Sequence, residues 1–135
     1  MTDSNLIQEQ RQAKDQMDID QVLQTEELTG DKKIRILPGA SEDITAATFE
    51  IDEEDHTLGN ALRYMIMKNN SPGVEFCGYS IPHPSETKVN IRVQTYGEGV
   101  TAIDALDKGL SDLVDLCNHV EETFIKQMEQ FKSQG

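Results

Sequence analysis

The sequence contains no tryptophan, only two cysteines and only seven aromatic residues, all at or after Phe49. No window approaches the roughly 18 uninterrupted apolar residues that a membrane helix needs, and the polar start is unlike a signal peptide. Two isolated cysteines exclude a disulfide framework and a zinc site built on paired cysteines. We therefore expect a soluble, non-secreted protein in a reducing compartment, with no membrane contact.

Basic residues are also scarce, because 12 Lys and Arg stand against 25 Asp and Glu and give a formal net charge of −13. An acidic chain is repelled by a phosphate backbone, so we expect protein partners and no direct nucleic-acid contact. The basic cluster at residues 32–35 has no interleaved aromatic residues for base stacking, and it is too short for a nuclear-import signal.

The charge and the apolar residues are unevenly distributed along the chain. Residues 1–31 carry eight acids, two bases, six glutamines and no aromatic residue. A segment this polar cannot bury enough apolar surface to offset the loss of backbone entropy on folding. We predict a disordered acidic tail at 1–31, with a short helix formed on a partner as the alternative, and one folded domain at 32–135.

Hydrophobic periodicity in the domain predicts the element order ββαββα. Alternation predicts strands at 46–51 and 88–96, and β-branched or aromatic runs predict strands at 34–37 and 74–81. In the two alternating strands the residues predicted to share the inward face are Ala47, Phe49 and Ile51 in the first and Val89, Ile91, Val93 and Thr95 in the second. Helical spacing from Thr57 onward predicts a helix over residues 57–68, with Asp55 or Thr57 as its N-cap. This pattern belongs to the α+β class.

The last segment is the most informative. From Ile103 to Phe124 its apolar residues are spaced 3, 4, 3, 4, 3 and 4 residues apart, which is a period of 3.5. Met128 and Phe131 extend the pattern. The predicted helix, residues 101 to about 132, would be ~48 Å long, whereas a domain of this size is roughly 35 Å across. Val114, Leu116 and Ile125 broaden the apolar face further. An apolar face that outruns its own domain indicates an interface, although Gly109 could break the helix in two.

Catalytic chemistry has weak support. Residues 53–56, with the sequence EEDH, could supply a metal site or an acid/base pair, but consecutive side chains do not converge. We interpret them as acids that complement the dipole at the start of a helix. Cys77 and Cys117 are interpreted as buried small hydrophobes. We predict no catalytic residue, no metal and no cofactor.

Two blocks then carry a resemblance. Residues 54–63 read EDHTLGNALR, and residues 74–84 read VEFCGYSIPHP, followed by IRVQT at 91–95. Both blocks resemble the α-like subunits of cellular RNA polymerases, relatives of the bacterial α amino-terminal domain. Within this family, ALRY at 61–64 and CGYSIPHPSE at 77–86 are most similar to the small subunit shared by RNA polymerases I and III.

The resemblance implies the fold of the RNA polymerase α-subunit dimerisation domain, a four-stranded, mainly antiparallel sheet backed by two helices, the second long and amphipathic. It also implies a non-catalytic assembly subunit of polymerases I and III in the nucleus and nucleolus, serving rRNA, 5S rRNA and tRNA transcription. The expected partners are the larger α-like subunit, as a heterodimer, and the large catalytic subunits assembled on that pair. The acidic tail departs from the shorter archaeal form, so the resemblance implies nothing for residues 1–31.

The expected interface residues are Leu58, Gly59, Asn60, Leu62, Arg63 and Met65 in the first helix, and Ile103, Leu106, Leu110, Leu113, Cys117, Val120 and Phe124 in the second. Part of each face must also form the core of the domain. A glycine early in a helix suggests a close approach, which we place at the interface. Two alternatives stay open: a free-standing homodimeric binding module of the same fold, and a small metal-dependent enzyme built on residues 53–56.

Overall fold

A computed structural model of the chain describes residues 32–68 and 73–135. Six elements follow one another in the predicted order. They are β1 (Ile34–Ile36), β2 (Ala46–Asp52), α1 (His56–Lys68), β3 (Val74–Ser80), β4 (Lys88–Thr95) and α2 (Ala102–Ser133). The predicted α+β class is confirmed, whereas the predicted tail at 1–31 lies outside the described residues and stays a prediction.

The four strands form one antiparallel sheet in the order β1-β2-β4-β3. Alternate residues of β2 and β4 point to the same side and are buried, as the pairing of Phe49 with Ile91 illustrates. On β3, a register irregularity between Val74 and Phe76 precedes the pairing of Cys77 with Val93. The predicted inward faces of β2 and β4 are therefore confirmed. We call this buried side the inner face and the opposite side the outer face.

Helix α1 begins at His56, one residue before the predicted start. The Thr57 N–H donates to Asp55 Oδ1 at 2.9 Å, which satisfies one of the unpaired donors of the first turn and lowers the pKa of Asp55. Asp55 is therefore the cap, and the alternative of a Thr57 cap is wrong. The helix buries Leu62 and Ile66 in the core that it forms with the sheet.

Helix α2 is one unbroken element of 32 residues. Thr101 and Asp104 close a capping box, in which the Asp104 N–H donates to Thr101 Oγ1 at 3.2 Å and the Thr101 N–H donates to Asp104 Oδ2 at 3.0 Å. Gly109 does not break the helix. It lies where α2 crosses α1. A Cβ at this position would clash with Ile66 Cγ1, so the glycine permits the close approach of the two helices.

Candidate protein–protein interface

Helix α2 has two parts with different surroundings, the proximal part at residues 102–113 and the distal part at residues 114–133. In the proximal part Ala102, Ala105, Leu106 and Gly109 are buried against the sheet and α1, and Leu110 and Leu113 are half-buried at the edge of this contact. The proximal part thus belongs to the core of the domain.

Every residue of the distal part is exposed. The distal stripe is the set of its large apolar side chains, namely Val114, Leu116, Val120, Phe124, Ile125, Met128 and Phe131. Val120 is 59% exposed, Phe124 65% and Phe131 75%, which are large fractions for side chains that prefer burial. Contiguous apolar surface of this kind marks a site of association with another molecule.

A groove between α1 and α2 adjoins the distal stripe. It has a volume of about 320 Å³ and is lined by His56, Thr57, Asn60, Ala61, Tyr64, Met65, Leu113 and Leu116. Leu116 belongs to both the groove and the stripe, and Tyr64 is 51% exposed at the groove. Groove and stripe therefore form one continuous surface that is mostly apolar, with polar His56, Thr57 and Asn60 in the groove. A bulky apolar side chain of a partner would fit into such a groove.

The structure divides the predicted interface residues by exposure. Gly59, Leu62, Met65 and Leu106 are buried within the chain; Leu58, Leu110 and Leu113 are half-buried; Asn60, Arg63, Ile103, Cys117, Val120 and Phe124 are exposed. The first set lies mainly in the domain's own core, as expected for part of each face. The last set is available to a partner.

Gly59 needs a correction. A Cβ at Gly59 would lie 2.7 Å from Tyr79 Cδ2, well inside normal contact distance. The close approach that we placed at the interface is therefore made within the chain, between α1 and the ring of Tyr79. The Tyr79 hydroxyl also lies 3.0 Å from His56 Nδ1, which fixes this ring at the start of α1.

The two cysteines also differ. Cys77 is buried as predicted, and burial raises the pKa of its thiol to about 11, although the nearby Arg63 charge acts in the opposite direction. The prediction for Cys117 is wrong, because it lies on the distal part and is exposed. The helical spacing that placed Cys117 beside Leu113 and Val120 identified its face correctly but could not tell that the domain ends before it.

On the two helices, six exposed large apolar residues were left out of the predicted interface set: Tyr64, Val114, Leu116, Ile125, Met128 and Phe131. The last five were visible in the sequence as the widening and extension of the apolar face. Tyr64 had a weaker signal, because a tyrosine three residues from Ala61 on a short helix is equally compatible with a core position. Its exposure depends on where α2 crosses α1.

Other chemistry finds little support in the described part of the chain. Residues 32–68 and 73–135 contain no group of three or more His, Cys, Asp or Glu side chains that could hold a metal ion. Among the same residues, no helix is long and apolar enough to cross a membrane. At the start of α1, Asp55 caps the helix and His56 contacts Tyr79, so both side chains have structural partners.

Comparison with known proteins identifies the family. Residues 46–123 match the model of the RNA polymerase Rpb3/Rpb11 dimerisation domain. The chain is 66% identical over 99 residues to the DNA-directed RNA polymerases I and III subunit RPAC2 of Saccharomyces cerevisiae, covering 73% of this chain and 68% of that protein. The subunit of the same name in Schizosaccharomyces pombe is 63% identical over 97 residues, covering 72% of this chain and 75% of that protein.

A solved structure agrees on the fold. The crystal structure of DNA-directed RNA polymerase subunit L from Thermoplasma acidophilum superposes with a TM-score of 0.60 at 22% identity, covering 76% of this chain and 94% of that one. The resemblance found in the sequence is thereby confirmed. The chain belongs to the RNA polymerase Rpb3/Rpb11 dimerisation domain family and, within it, to the small α-like subunits shared by RNA polymerases I and III.

Proposed function

We propose that this chain is a non-catalytic assembly subunit of DNA-directed RNA polymerases I and III, and that its distal stripe and groove bind the larger α-like subunit. The pair forms the platform for the two large catalytic subunits, which supply the active-site chemistry. The observation that carries the proposal is the distal stripe, an apolar helix surface that the domain itself leaves exposed. The match to a dimerisation domain supports the same assignment.

The energetics of the stripe favour a permanent partner. Burial of one large apolar side chain is worth about 1.5–3 kcal/mol, and the stripe has seven of them. Interfaces of obligate complexes bury roughly 2,000 Å² or more and are more apolar than transient ones. A helix of 32 residues that ends beyond its own domain supplies a surface suited to this class.

Charge favours a different partner over a second copy of this chain. Helix α2 carries seven acids and three lysines; the acids are Asp104, Asp107, Asp112, Asp115, Glu121, Glu122 and Glu129. Two antiparallel or crossed copies would place these acids near one another at the rim of the interface, and like charges across an interface oppose association. A partner with a basic rim would instead be attracted, so the homodimeric module is the weaker alternative.

The remaining assignments follow from membership of a shared polymerase subunit. The chain acts in the nucleus and nucleolus, in transcription of rRNA, 5S rRNA and tRNA. It contacts nucleic acid through its partners, since its net charge of −13 opposes direct contact with phosphates. It enters the nucleus as part of an assembled complex, which localisation of the isolated chain would test.

The decisive experiment is affinity purification of the tagged chain from its own cells, with mass spectrometry of the bound proteins. We expect the larger α-like subunit and both large polymerase subunits in comparable amounts. Phe124→Asp should abolish their recovery, whereas the matched control His119→Asp, which places an aspartate on the side of α2 opposite the stripe, should retain it. Recovery of the chain alone, or with only a second copy of itself, would reject the proposal and favour the homodimeric module.

A further inference from the structure

The outer face of the sheet is a second surface, and none of the residues that line its groove belongs to the distal stripe. Both helices pack on the inner face, so the outward residues of β2, β3 and β4 are not covered by either helix. A groove of about 420 Å³ crosses the outer face, lined by Thr48, Phe76, Gly78, Tyr79, Ser80, Asn90 and Arg92. Three of these residues present chemistry that the domain itself does not use.

The first is Phe76, whose side chain is 47% exposed on the outer face. Its ring lies across Gly78, because a Cβ at Gly78 would be 2.8 Å from Phe76 Cζ. The glycine therefore allows the ring to lie along β3 and to form an apolar side of the groove. A half-exposed aromatic ring held in this way offers a contact surface at low entropic cost to a bound apolar side chain.

The second is Asn90, whose Oδ1 atom is buried and has no hydrogen-bond partner among the described residues. A buried acceptor without a donor is unfavourable, and such groups are rare in folded proteins. Asn90 lines the groove, so a donor group brought by a bound molecule could reach this part of the face. Because Oδ1 is buried, the Asn90 amide must turn towards the groove before an N–H or O–H group of a ligand can pair with it.

The third is Arg92, which donates to Thr48 Oγ1 at 3.2 Å and forms no ion pair with a carboxylate of the described residues. Two acids on the same face, Glu50 and Asp52, are already paired with other bases. Arg35 bonds to both Glu50 and Asp52, at 2.5 and 2.7 Å, and Lys88 lies 3.6 Å from Glu50.

The ion pairs of the outer face join Arg35 and Lys88 to Glu50 and Asp52 and do not include Arg92, in a chain whose overall charge is −13. A guanidinium that keeps several N–H donors unused is a preferred site for a carboxylate, which it can bind in a bidentate geometry. Arg92 is thus the charged group of this groove that remains to be neutralised.

We propose that this groove binds a segment of another protein that presents a carboxylate next to a bulky apolar side chain. The carboxylate pairs with Arg92, the apolar side chain packs on Phe76, and a backbone or side-chain donor of the segment satisfies Asn90. Charge complementarity selects this occupant, because nucleic acid would offer phosphates without the apolar group and a basic segment would face Arg92 unfavourably. The proposal does not depend on what covers the distal stripe.

Photocrosslinking in cells tests the proposal with the full chain. p-Benzoylphenylalanine is placed at Ser80, which is exposed beside the groove, and the crosslinked peptide is identified by mass spectrometry. We expect a crosslink to a protein segment that contains Asp or Glu within a few residues of a large apolar residue. No crosslink, or a crosslink to nucleic acid or to a basic segment, would overturn the proposal.

Substitutions then test the role of each group. Arg92→Met removes the charge and should lower the crosslink yield by about tenfold or more, whereas Lys88→Met, which removes a base of the same strand outside the groove, should leave the yield nearly unchanged. The same crosslinker at Glu86, in the exposed turn before β4, should be unaffected by Arg92→Met.

Asn90→Leu removes the unpaired acceptor, so it should raise the melting temperature and weaken the Ser80 crosslink. A melting temperature of Arg92→Met equal to that of the wild type shows that its loss of crosslinking is not unfolding. If Arg92→Met proves unstable, Arg92→Gln serves in its place, and an unchanged yield in a folded charge-neutral variant would overturn the role of Arg92.

Discussion

The proximal and distal parts of α2 share one helix and one apolar period, yet their surroundings differ completely. Leu106 in the proximal part is 5% exposed, whereas Phe124, 18 positions later and therefore an integral number of turns away, is 65% exposed. The same face of the helix is thus a domain core at one end and open surface at the other. Periodicity identifies which residues share a face, and only the length of the domain decides where that face loses its cover.

This difference separates two roles that residues of one stripe can have. Proximal residues contribute to the free energy of unfolding of the isolated chain, because their contacts are made within it. Distal residues contribute to association, because their apolar surface is removed from water only when a partner is bound. Substitutions in the proximal part should therefore change the free energy of unfolding, and substitutions in the distal part should change the affinity for a partner.

The largest expected effect on folding is that of Leu106→Ala. Removal of a buried leucine side chain leaves a cavity, and we expect a loss of about 3 kcal/mol in the free energy of unfolding. The matched distal variant Phe124→Ala should change this free energy by less than about 0.5 kcal/mol. Urea titration of the isolated chain, followed by circular dichroism, measures both. Equal losses in the two variants would show that the distal part is folded onto the domain in solution.

Leu110→Asp probes the boundary between the two parts, because Leu110 is half-buried at the edge of the domain core. A charge here should lower the free energy of unfolding by about 2 kcal/mol and should also weaken pairing with the larger α-like subunit. Titration calorimetry with the purified partner measures the second effect. Normal pairing by a folded Leu110→Asp chain would remove this residue from the interface and confine the interface to the distal stripe.

Gly109→Ala should have a smaller effect, with a sign opposite to that of helix propensity. Alanine is better than glycine in a helix interior by roughly 1 kcal/mol, but its Cβ would clash with Ile66 Cγ1. We expect a net loss of about 1–2 kcal/mol in the free energy of unfolding, since overpacking a helix crossing forces the helices apart. Thermal unfolding of the variant checks this.

A double-mutant cycle isolates the clash. In an Ile66→Ala background the obstructing atom is absent, so adding Gly109→Ala should be neutral or stabilising. A loss of the same size in both backgrounds would contradict the proposed contact and would place the cost of Gly109→Ala elsewhere in the helix.

Local elements of this fold could be read from the sequence because each depends on neighbouring residues. The alternation around Phe49 and Ile91 predicted both central strands and their inward faces, and the spacing from Ile103 onward predicted α2 to within one residue at each end. Asp55, which caps α1, was one of the two residues predicted for that position. These features depend on period and on turn chemistry, which a short segment specifies by itself.

The candidate interface could be predicted only in part, because burial depends on distant segments. Gly59 and Gly109 are both explained by close approaches, to Tyr79 and Ile66, which a sequence cannot show. Cys117 was placed on the correct face but in the wrong environment, since its exposure follows from where the sheet ends. No sequence pattern indicated the outer-face groove, because Phe76, Asn90 and Arg92 are brought together there only by the strand register.

The smallest expected effect concerns Cys77, the buried counterpart of exposed Cys117. Burial raises the pKa of the Cys77 thiol from an ordinary value of 9.0 to about 11. Between these values the unfolded chain ionises its thiol while the folded chain keeps it protonated, so the unfolded state binds fewer protons. The contribution of the protonated Cys77 thiol to the free energy of unfolding is therefore fully present below pH 9 and is lost as the pH rises towards 11. The free energy of unfolding of the protein that keeps Cys77 should fall across this window more steeply than that of the Cys77→Ala variant. Both proteins carry Cys117→Ala, which prevents intermolecular disulfides. Parallel pH profiles for the two proteins would mean that water reaches the Cys77 thiol, and hence that the sheet and α1 do not close over it as the proximal core requires.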